Sequence, residues 1–288
     1  MNPNLQLPIT NYKLGLIGYP LGHSLSPKIH TAALQASGLE GNYSLFPIPP
    51  EDKQALQDLL AQVRAGEIHG LNVTIPHKQN VIEFMDELMP TAQAIGAVNT
   101  IYMRGDKLIG DNTDAPGFLA DLKRFIGDWR LEIGDSALVF GAGGSARAVV
   151  YALLNDGWNV TLAARRIEQA QQLAASFTKY QLQTTDNSSF FIPHSSLIIN
   201  TTPLGMTPNT ETSPLPEGTE LAKHTFVYDL VYNPRETKLV KTARAQGLNA
   251  FTGLGMLIEQ AALAFEKWTG HTPPREILFD AVGATRPD

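Results

Sequence analysis

Asn72, Thr74 and Lys78 place two neutral hydrogen-bonding groups and one proton donor within a single short stretch, NVTIPHK. A β-type run ends at Pro76, because proline fixes its own φ and cannot donate to a strand ladder. A helix is predicted from Lys78 to Leu88. The three side chains would then lie at the carboxyl end of a strand, where open α/β sheets bind ligands. A solvated loop explains the same pattern, since loops are normally polar.

More polar residues fall at predicted loops or element ends of the first half: Ser24, Ser26, Asn99 and Asp114. Hydroxyls and amides suit a polyhydroxylated ligand. Lys78 could pair with a carboxylate or transfer a proton, and Asp114 could orient it and tune its pKa. Simpler roles stay open: Ser26, before Pro27, is expected to cap a helix. Ser24 and Asp114 could also be caps, Asn99 could close a turn, and Lys78 could be a surface lysine.

A glycine-rich loop follows a predicted strand and opens a predicted helix. It fits G-x-G-x-x-G/A and consists of Gly141, Ala142, Gly143, Gly144, Ser145 and Ala146. The first glycine permits the tight turn, the second lets backbone amides approach a pyrophosphate, and the small last residue lets the helix pack on the strand. Phosphate would bind at the helix N-terminus. The complete strand–loop–helix–strand context predicts a dinucleotide site, and a turn without a ligand is the alternative.

The next strand ends at Ala164-Arg165-Arg166. An NAD site usually has Asp or Glu at this point to hold the ribose 2′-hydroxyl. Two guanidinium groups replace the acid here, and arginine binds phosphate with a rigid bidentate fork. The pair therefore predicts NADP(H), against the alternative of two solvated arginines.

The helices and strands that position these residues are predicted from the spacing of apolar residues and from the residues that start and end helices and strands. Strands are predicted at 12–18, 42–46, 69–75, 98–103, 107–111, 137–140, 159–163, 197–199, 226–230 and 249–252. Helices are predicted at 27–37, 51–64, 78–88, 116–125, 145–156 and 255–268, with a long loop at 205–221. From Leu131 the alternation predicts a parallel, helix-covered sheet. Gln260 lies near the apolar stripe of the last helix, and a buried amide there needs partners.

Composition excludes several classes of function. The 288 residues suggest roughly two domains, with 43% hydrophobic and 17% charged residues. A net charge of -6 without a basic run argues against nucleic acid or an anionic membrane as partner. There is no cysteine for thiolate chemistry, the histidines lack metal-ligand spacing, and no G-x-S-x-G elbow is present. Neither a signal peptide nor a transmembrane run is recognised, so a cytoplasmic location is expected.

Taken together, the motifs resemble those of the shikimate dehydrogenase family. They are SLSP at 24–27, NVTIPHK at 72–78, GAVNT at 96–100, GDNTD at 110–114, GAGG at 141–144, NTTPLGM at 200–206, YDLVYNP at 228–234, and GLGM at 253–256 with Gln260. The resemblance implies a two-domain α/β fold. Residues 1–115 and 252–288 would form the substrate domain, and residues 116–251 a Rossmann-like NADP domain.

The resemblance also implies roles for individual residues. Lys78 and Asp114 would be the catalytic acid–base pair. The substrate, shikimate or 3-dehydroshikimate, would be held by Ser24, Ser26, Asn72, Thr74, Lys78, Asn99, Asp114, Tyr232 and Gln260. NADP would be bound by the loop from Gly141 to Ala146 and by Arg165, Arg166, Thr201, Met206, Val231 and Gly253. The family commonly has Asn-Arg-Thr where this chain has Ala164-Arg165-Arg166, so Arg166 could replace a lost contact.

Two other functions are compatible with these motifs. A quinate/shikimate dehydrogenase looks similar and can use NAD, although Ser24 with Ser26 and the arginine pair favour shikimate and NADP. A non-catalytic regulator would bind a nucleotide or a shikimate-like ligand, although an intact Lys78 and Asp114 favour an enzyme. A monomer or a homodimer is expected.

Overall fold

The computed structural model describes residues 9–127, 136–186, 188 and 191–285. It divides into two compact units. The first comprises the chain up to Met89, Val98–Thr113 and the chain from Ala261 onward; the second comprises Pro90–Ala97 and Asp114–Gln260. Residues 90–97, 114–115 and 252–260 thus fall in the second unit, although they were predicted to belong to the substrate domain. Which unit binds which ligand stays a prediction, and Leu131 lies outside the described residues.

Both units are α/β structures. The strands are β1 Tyr12–Gly18, β2 Gly41–Pro47, β3 Gly70–Val73, β4 Glu87–Leu88, β5 Thr100–Arg104, β6 Lys107–Asp111, β7 Ser136–Phe140, β8 Asn159–Ala163, β9 Gln183–Thr185, β10 Leu197–Asn200, β11 Phe226–Asp229 and β12 Ala250–Thr252. The helices are α1 Ser26–Ala36, α2 Lys53–Arg64, α3 Pro90–Ile95, α4 Asp114–Ile126, α5 Gly144–Asn155, α6 Ile167–Ala174, α7 Lys238–Ala245, α8 Leu254–Thr269 and α9 Arg275–Ala281.

The second unit contains a parallel sheet in the order β12-β11-β10-β7-β8-β9. This is the doubly wound order of dinucleotide-binding folds, with the change of direction between β7 and β10. Alternate residues of β7 enter different cores: Val139 packs with Leu153 of α5, whereas Leu138 packs with Val240 of α7. Both faces of the strand are therefore covered, which explains its uninterrupted apolar sequence. The predicted parallel, helix-covered sheet is confirmed.

The first unit contains a mixed sheet in the order β2-β1-β3-β5-β6-β4. β5 runs antiparallel to both β3 and β6, and Gly105 makes the hairpin turn between β5 and β6 with a φ of 63°. The last residues of α8 pack on this sheet. A Cβ at Gly70 would lie 2.4 Å from the ring of Trp268, whose Nε1 donates to the carbonyl of Ile101 at 3.1 Å. Glycine is thus needed where this helix crosses β3.

The helix predicted from Lys78 to Leu88 is wrong. Only Asn80–Phe84 is helical, as one short 3-10 turn, and Met85 is already extended. The reason is tertiary: β4 pairs in parallel with β6, and the backbone N–H of Asp86 donates to the carbonyl of Leu108. Strand pairing provides hydrogen bonds that outweigh a modest helical preference.

Other differences are smaller. Sequence patterns missed five short elements, α3, α6, α7, α9 and β9, which have few residues to show a period. Helix α4 begins at Asp114, earlier than predicted. Among the described residues, none of the helices combines the length and apolarity needed to cross a bilayer, and no cluster of three or more potential metal ligands occurs.

Candidate active site

Asn72 lies on β3 of the first unit, with 5% of its surface exposed. The Tyr43 hydroxyl on β2 donates to Asn72 Oδ1 at 2.8 Å, and Asn72 Nδ2 donates to the carbonyl of Asn99 at 3.2 Å. Each end of the amide therefore has a defined partner, which fixes the orientation of the side chain. Sequence reasoning missed Tyr43, because nothing in its own strand marks it as a partner of Asn72.

The side chain of Asn99 is buried in a polar cluster of the first unit. Its Oδ1 accepts from the backbone N–H of Thr113 at 2.7 Å and from the Thr100 hydroxyl at 2.9 Å. Its Nδ2 donates to the Thr113 hydroxyl at 3.0 Å. This amide is therefore also held in one orientation. The alternative role of Asn99, closing a turn, does not account for these contacts.

Lys78 is buried in the first unit, with 8% of its surface exposed, which is unusual for lysine. The loop that bears it is anchored on both sides. The N–H of His77 donates to the carbonyl of Thr74 at 2.9 Å, and the His77 Nε2 lies 2.6 Å from the carbonyl of Ile48. The carbonyl of Lys78 accepts from Val98 N at 2.7 Å. These backbone contacts thus fix the position from which the Lys78 side chain extends.

Ser24 and Ser26 lie at the start of α1. The residue preceding the helix is Leu25, and no side chain caps this helix, so the predicted cap role of Ser26 is wrong. Ser26 is the first helical residue, and its N–H instead donates to the Ser24 hydroxyl at 3.3 Å. Ser26 is buried and Ser24 half-buried. Capping therefore does not account for the hydroxyl of Ser26.

Asp114, Tyr232 and Gln260 belong to the second unit, whereas Lys78 belongs to the first. Asp114 is the first residue of α4 and is buried. Helices α4 and α8 are in close contact, since a Cβ at Gly117 would lie 2.8 Å from the backbone nitrogen of Gln260. The Gln260 amide donates to the carbonyl of Leu257 at 2.8 Å. Tyr232 follows β11 and is half-buried, and burial raises its pKa.

The glycine loop lies at the switch point of the second sheet. Gly141 follows β7 with a φ of 110°, a conformation that favours glycine. A Cβ at this position would lie 2.6 Å from the Thr201 hydroxyl, which itself donates to the carbonyl of Phe140 at 2.6 Å. The structure therefore brings two predicted cofactor residues, Gly141 and Thr201, into contact where such sheets bind nucleotides.

The entrance of α5 fits a pyrophosphate. Gly143 precedes the helix, no side chain caps it, and a Cβ there would meet nothing within 4 Å. The first turn of a helix has N–H groups without intrahelical partners, which favour an anion. The small residue Ala146 is fully buried, as close packing of the helix requires. The residues present therefore fit the predicted dinucleotide phosphates.

The other predicted cofactor residues follow neighbouring strands of the same sheet. Arg165 and Arg166 come after β8, are exposed, and form no ion pair with any residue that the structure describes. Val231 follows β11 and is buried, while Gly253 follows β12, where a Cβ would lie 2.3 Å from the carbonyl of Leu230. Met206, in the loop after β10, is 45% exposed. All of these positions follow the carboxyl ends of parallel strands.

Comparison with known proteins identifies the family. The model described as the shikimate dehydrogenase substrate binding domain matches residues 16–101, and that of the shikimate 5'-dehydrogenase C-terminal domain matches residues 253–278. A shikimate dehydrogenase (NADP(+)) of Salinibacter ruber is 42% identical, over 97% of this chain and 100% of that protein. The chain belongs to the shikimate dehydrogenase family. The predicted family is thus confirmed.

Solved structures of the family have the same fold. The shikimate 5-dehydrogenase of Thermus thermophilus, in complex with NADP(H) and shikimate, has a TM-score of 0.82 and 37% identity, covering 94% of this chain and 98% of that one. The quinate dehydrogenase of Corynebacterium glutamicum, in complex with NAD, has a TM-score of 0.83 and 30% identity, with the same two coverages. The predicted two-domain α/β fold of a shikimate dehydrogenase is confirmed.

Proposed function

We propose that this protein reduces 3-dehydroshikimate to shikimate with NADPH, reversibly, in the chorismate route of aromatic amino acid biosynthesis. The proposal rests on the carboxyl edge of the second sheet. There the glycine loop contacts Thr201, and two arginines follow β8 where an NAD site would have an acid. Relatives that cover almost the whole chain are named as NADP(+) shikimate dehydrogenases.

The cofactor would be held by backbone and side chains of the second unit. The helix N-terminus after Gly143 would take the pyrophosphate, and the guanidinium groups of Arg165 and Arg166 would take the 2′-phosphate. The remaining proposed contacts are the loop residues Gly141, Ala142, Gly144, Ser145 and Ala146, together with Thr201, Met206, Val231 and Gly253. When bound, NADPH supplies a hydride for the substrate carbonyl.

The substrate would be held by hydroxyl and amide groups, which suit a molecule with several hydroxyls and a carboxylate. The proposed set is Ser24, Ser26, Asn72, Thr74, Asn99, Tyr232 and Gln260. The fixed orientations of Asn72 and Asn99 support this role, because preorganised polar groups bind a ligand without first having to order themselves. The buried hydroxyl of Ser26 is also compatible with it.

Lys78 and Asp114 are the proposed acid–base pair. As the C3 carbonyl accepts a hydride, its oxygen becomes an alkoxide and takes a proton from the Lys78 Nζ; the carbonyl is reduced and the lysine is left neutral. In the reverse direction, neutral Lys78 removes that proton from the hydroxyl. Asp114 would keep the ammonium oriented through charge attraction.

A spectrophotometric assay of NADP+ and NAD+ against shikimate and quinate tests the proposal. NADP+ with shikimate should give the highest kcat/KM, whereas NAD+ with quinate would indicate the activity named for the Corynebacterium relative. Lys78→Ala should lower kcat by about 10²–10⁴-fold, the usual contribution of general acid–base catalysis. Lys53→Ala is the matched control, since the Lys53 side chain is exposed and forms a surface ion pair with Glu83. A Lys78→Ala enzyme with unchanged kcat would exclude the acid–base role.

A further inference from the structure

Strands β10 and β11 end side by side in two fully buried polar residues. Asn200 and Asp229 are register partners, and neither has exposed surface. The loops that follow these residues contain Thr201, Met206, Val231 and Tyr232, all of which were assigned binding roles. Asn200 and Asp229 were not, because their own sequence motifs give no sign of the contact between them.

The Asp229 carboxylate accepts three hydrogen bonds. Its Oδ1 accepts from Asn200 Nδ2 at 2.9 Å and from the backbone N–H of Val231 at 3.0 Å. Its Oδ2 accepts from the Thr237 hydroxyl at 2.6 Å, and Thr237 also caps helix α7. One side chain thus joins the end of β10, the loop after β11 and the start of α7.

Asn200 extends the network into the loop after β10. Its Oδ1 accepts from the backbone N–H of Thr202 at 3.0 Å and from the Thr202 hydroxyl at 2.6 Å. Its Nδ2 donates to the carbonyl of Leu204 at 3.1 Å, and Leu204 N donates to the Thr202 hydroxyl at 3.2 Å. Asp229 accepts from the same Nδ2, so it fixes the orientation of the Asn200 amide, with Oδ1 directed at Thr202.

We propose that Asp229 is a positioning residue for NADPH, which fixes the loops after β10 and β11 through Asn200 and Val231. The inference rests on the proposed function for the identity of the ligand. Among the described residues, no cation pairs with Asp229. Burying an unpaired carboxylate costs free energy of folding, so an apolar side chain would stabilise this position better if its role were only structural. Two of its donors, Asn200 and Val231, orient the loops after β10 and β11, which carry proposed NADPH contacts. A role in cofactor binding therefore explains why a carboxylate is kept here.

The test compares Asp229→Ala with Asp229→Asn. Asparagine can keep the same three partners: its oxygen accepts from Asn200 and Val231, and its amide donates to the Thr237 hydroxyl oxygen, which reverses the direction of that one hydrogen bond. We expect Asp229→Ala to weaken NADPH binding, measured by cofactor fluorescence titration, by about tenfold, which corresponds to a lost buried hydrogen bond. Asp229→Asn should restore binding to within about twofold of wild type. For Asp229→Ala, KM for NADPH should rise while kcat at saturating NADPH changes little.

Glu236→Gln is the matched control, because Glu236 lies in the same connection but forms an exposed ion pair with Arg244. Thr202→Val keeps the side-chain shape and removes only its hydroxyl, so it tests the network even if Asp229→Ala does not fold. Its NADPH affinity should fall by about threefold, about half the free-energy effect of a lost buried hydrogen bond.

The proposal is overturned if folded Asp229→Ala and Thr202→Val both bind NADPH like wild type, or if Asp229→Asn binds as poorly as Asp229→Ala. These titrations do not depend on turnover. A wild-type protein that binds NADPH but does not reduce 3-dehydroshikimate would therefore refute the proposed reaction, while the comparison of variants would still decide the role of Asp229.

Discussion

The Tyr228 hydroxyl donates to Asp121 Oδ2 at 2.5 Å, and neither residue has exposed surface. The contact joins β11 to α4 inside the second unit. Asp121 also accepts from Arg124 at 2.5 Å, and a Cβ at Gly255 would lie 1.9 Å from its Oδ1. Burial raises the pKa of Asp121, and the two donors oppose that rise. The carboxylate therefore holds α4, β11 and the GLGM turn at the start of α8 in one arrangement.

Replacing Tyr228 by phenylalanine should destabilise the protein by about 1–3 kcal/mol, because Asp121 Oδ2 would stay buried without its donor. Urea unfolding followed by circular dichroism measures the loss. Tyr180→Phe is the matched control, since Tyr180 donates to Asn155 in an exposed position and its loss should cost less than about 0.5 kcal/mol. Equal losses for the two variants would show that burial of the Asp121 pair adds nothing.

Arg165→Ala and Arg166→Ala should raise KM for NADPH and leave KM for NADH nearly unchanged, because only NADPH carries the 2′-phosphate. A lost charge-assisted hydrogen bond of about 1.5–3 kcal/mol corresponds to about a 10- to 150-fold effect. Steady-state kinetics with both cofactors measures it, and the larger effect identifies the arginine that makes the main contact. A similar rise for NADH with both variants would exclude recognition of the phosphate by this pair.

Local signals explain what could be predicted from the sequence. Strand β8 has the predicted bounds, Asn159–Ala163, because a short apolar run is limited by a polar turn on each side. The glycine loop was recognised because all its requirements, a strand, a tight turn and a helix, are contained in adjacent residues.

Non-local pairing explains what could not be predicted. Whether Glu87–Leu88 forms a strand depends on β6, which comes later in the chain. The contact of Tyr43 with Asn72 depends on the strand order β2-β1-β3, and that of Asn200 with Asp229 depends on register. No single-sequence pattern reports which strands become neighbours.

His30 should make the protein less stable as the pH falls. Its ring stacks on Tyr43 at 4.3 Å and has no exposed surface, and neither ring nitrogen makes a hydrogen bond of good geometry with a described residue. Burial lowers its pKa from 6.5 to about 3. The nearby Asn72 side chain opposes the effect of burial on the His30 pKa but does not outweigh it. The folded form is therefore neutral while the unfolded form gains a proton, and stability is lost as the pH falls below 6.5.

Wild type should lose about 1.4 kcal/mol per pH unit between about pH 6 and pH 4, relative to His30→Phe, which keeps the ring stack but does not titrate. Urea unfolding at several pH values measures the difference. Parallel stability curves for the two proteins would show that His30 does not contribute to acid sensitivity.

Asp229 should have the opposite effect on stability. Burial raises its pKa from 3.8 to about 6, although Thr237, Val231 and Asn200 donate to it. Between these values the folded form binds a proton that the unfolded form has released. The contribution of Asp229 is thus fully present below pH 3.8 and is lost as the pH rises through 6. Over much of this range the protein gains stability from His30 as the pH rises. The two effects oppose each other, so the pH dependence of wild-type stability alone would hide both.

Asp229→Asn separates them, because asparagine can keep the same hydrogen-bond partners and never ionises. From about pH 4 to pH 6, wild type should lose stability relative to this variant, at up to about 1.4 kcal/mol per pH unit. Measurement in the His30→Phe background removes the opposing titration. If the difference between the Asp and Asn proteins stays constant with pH, Asp229 keeps its ordinary pKa, and the cost assigned to its buried charge is wrong.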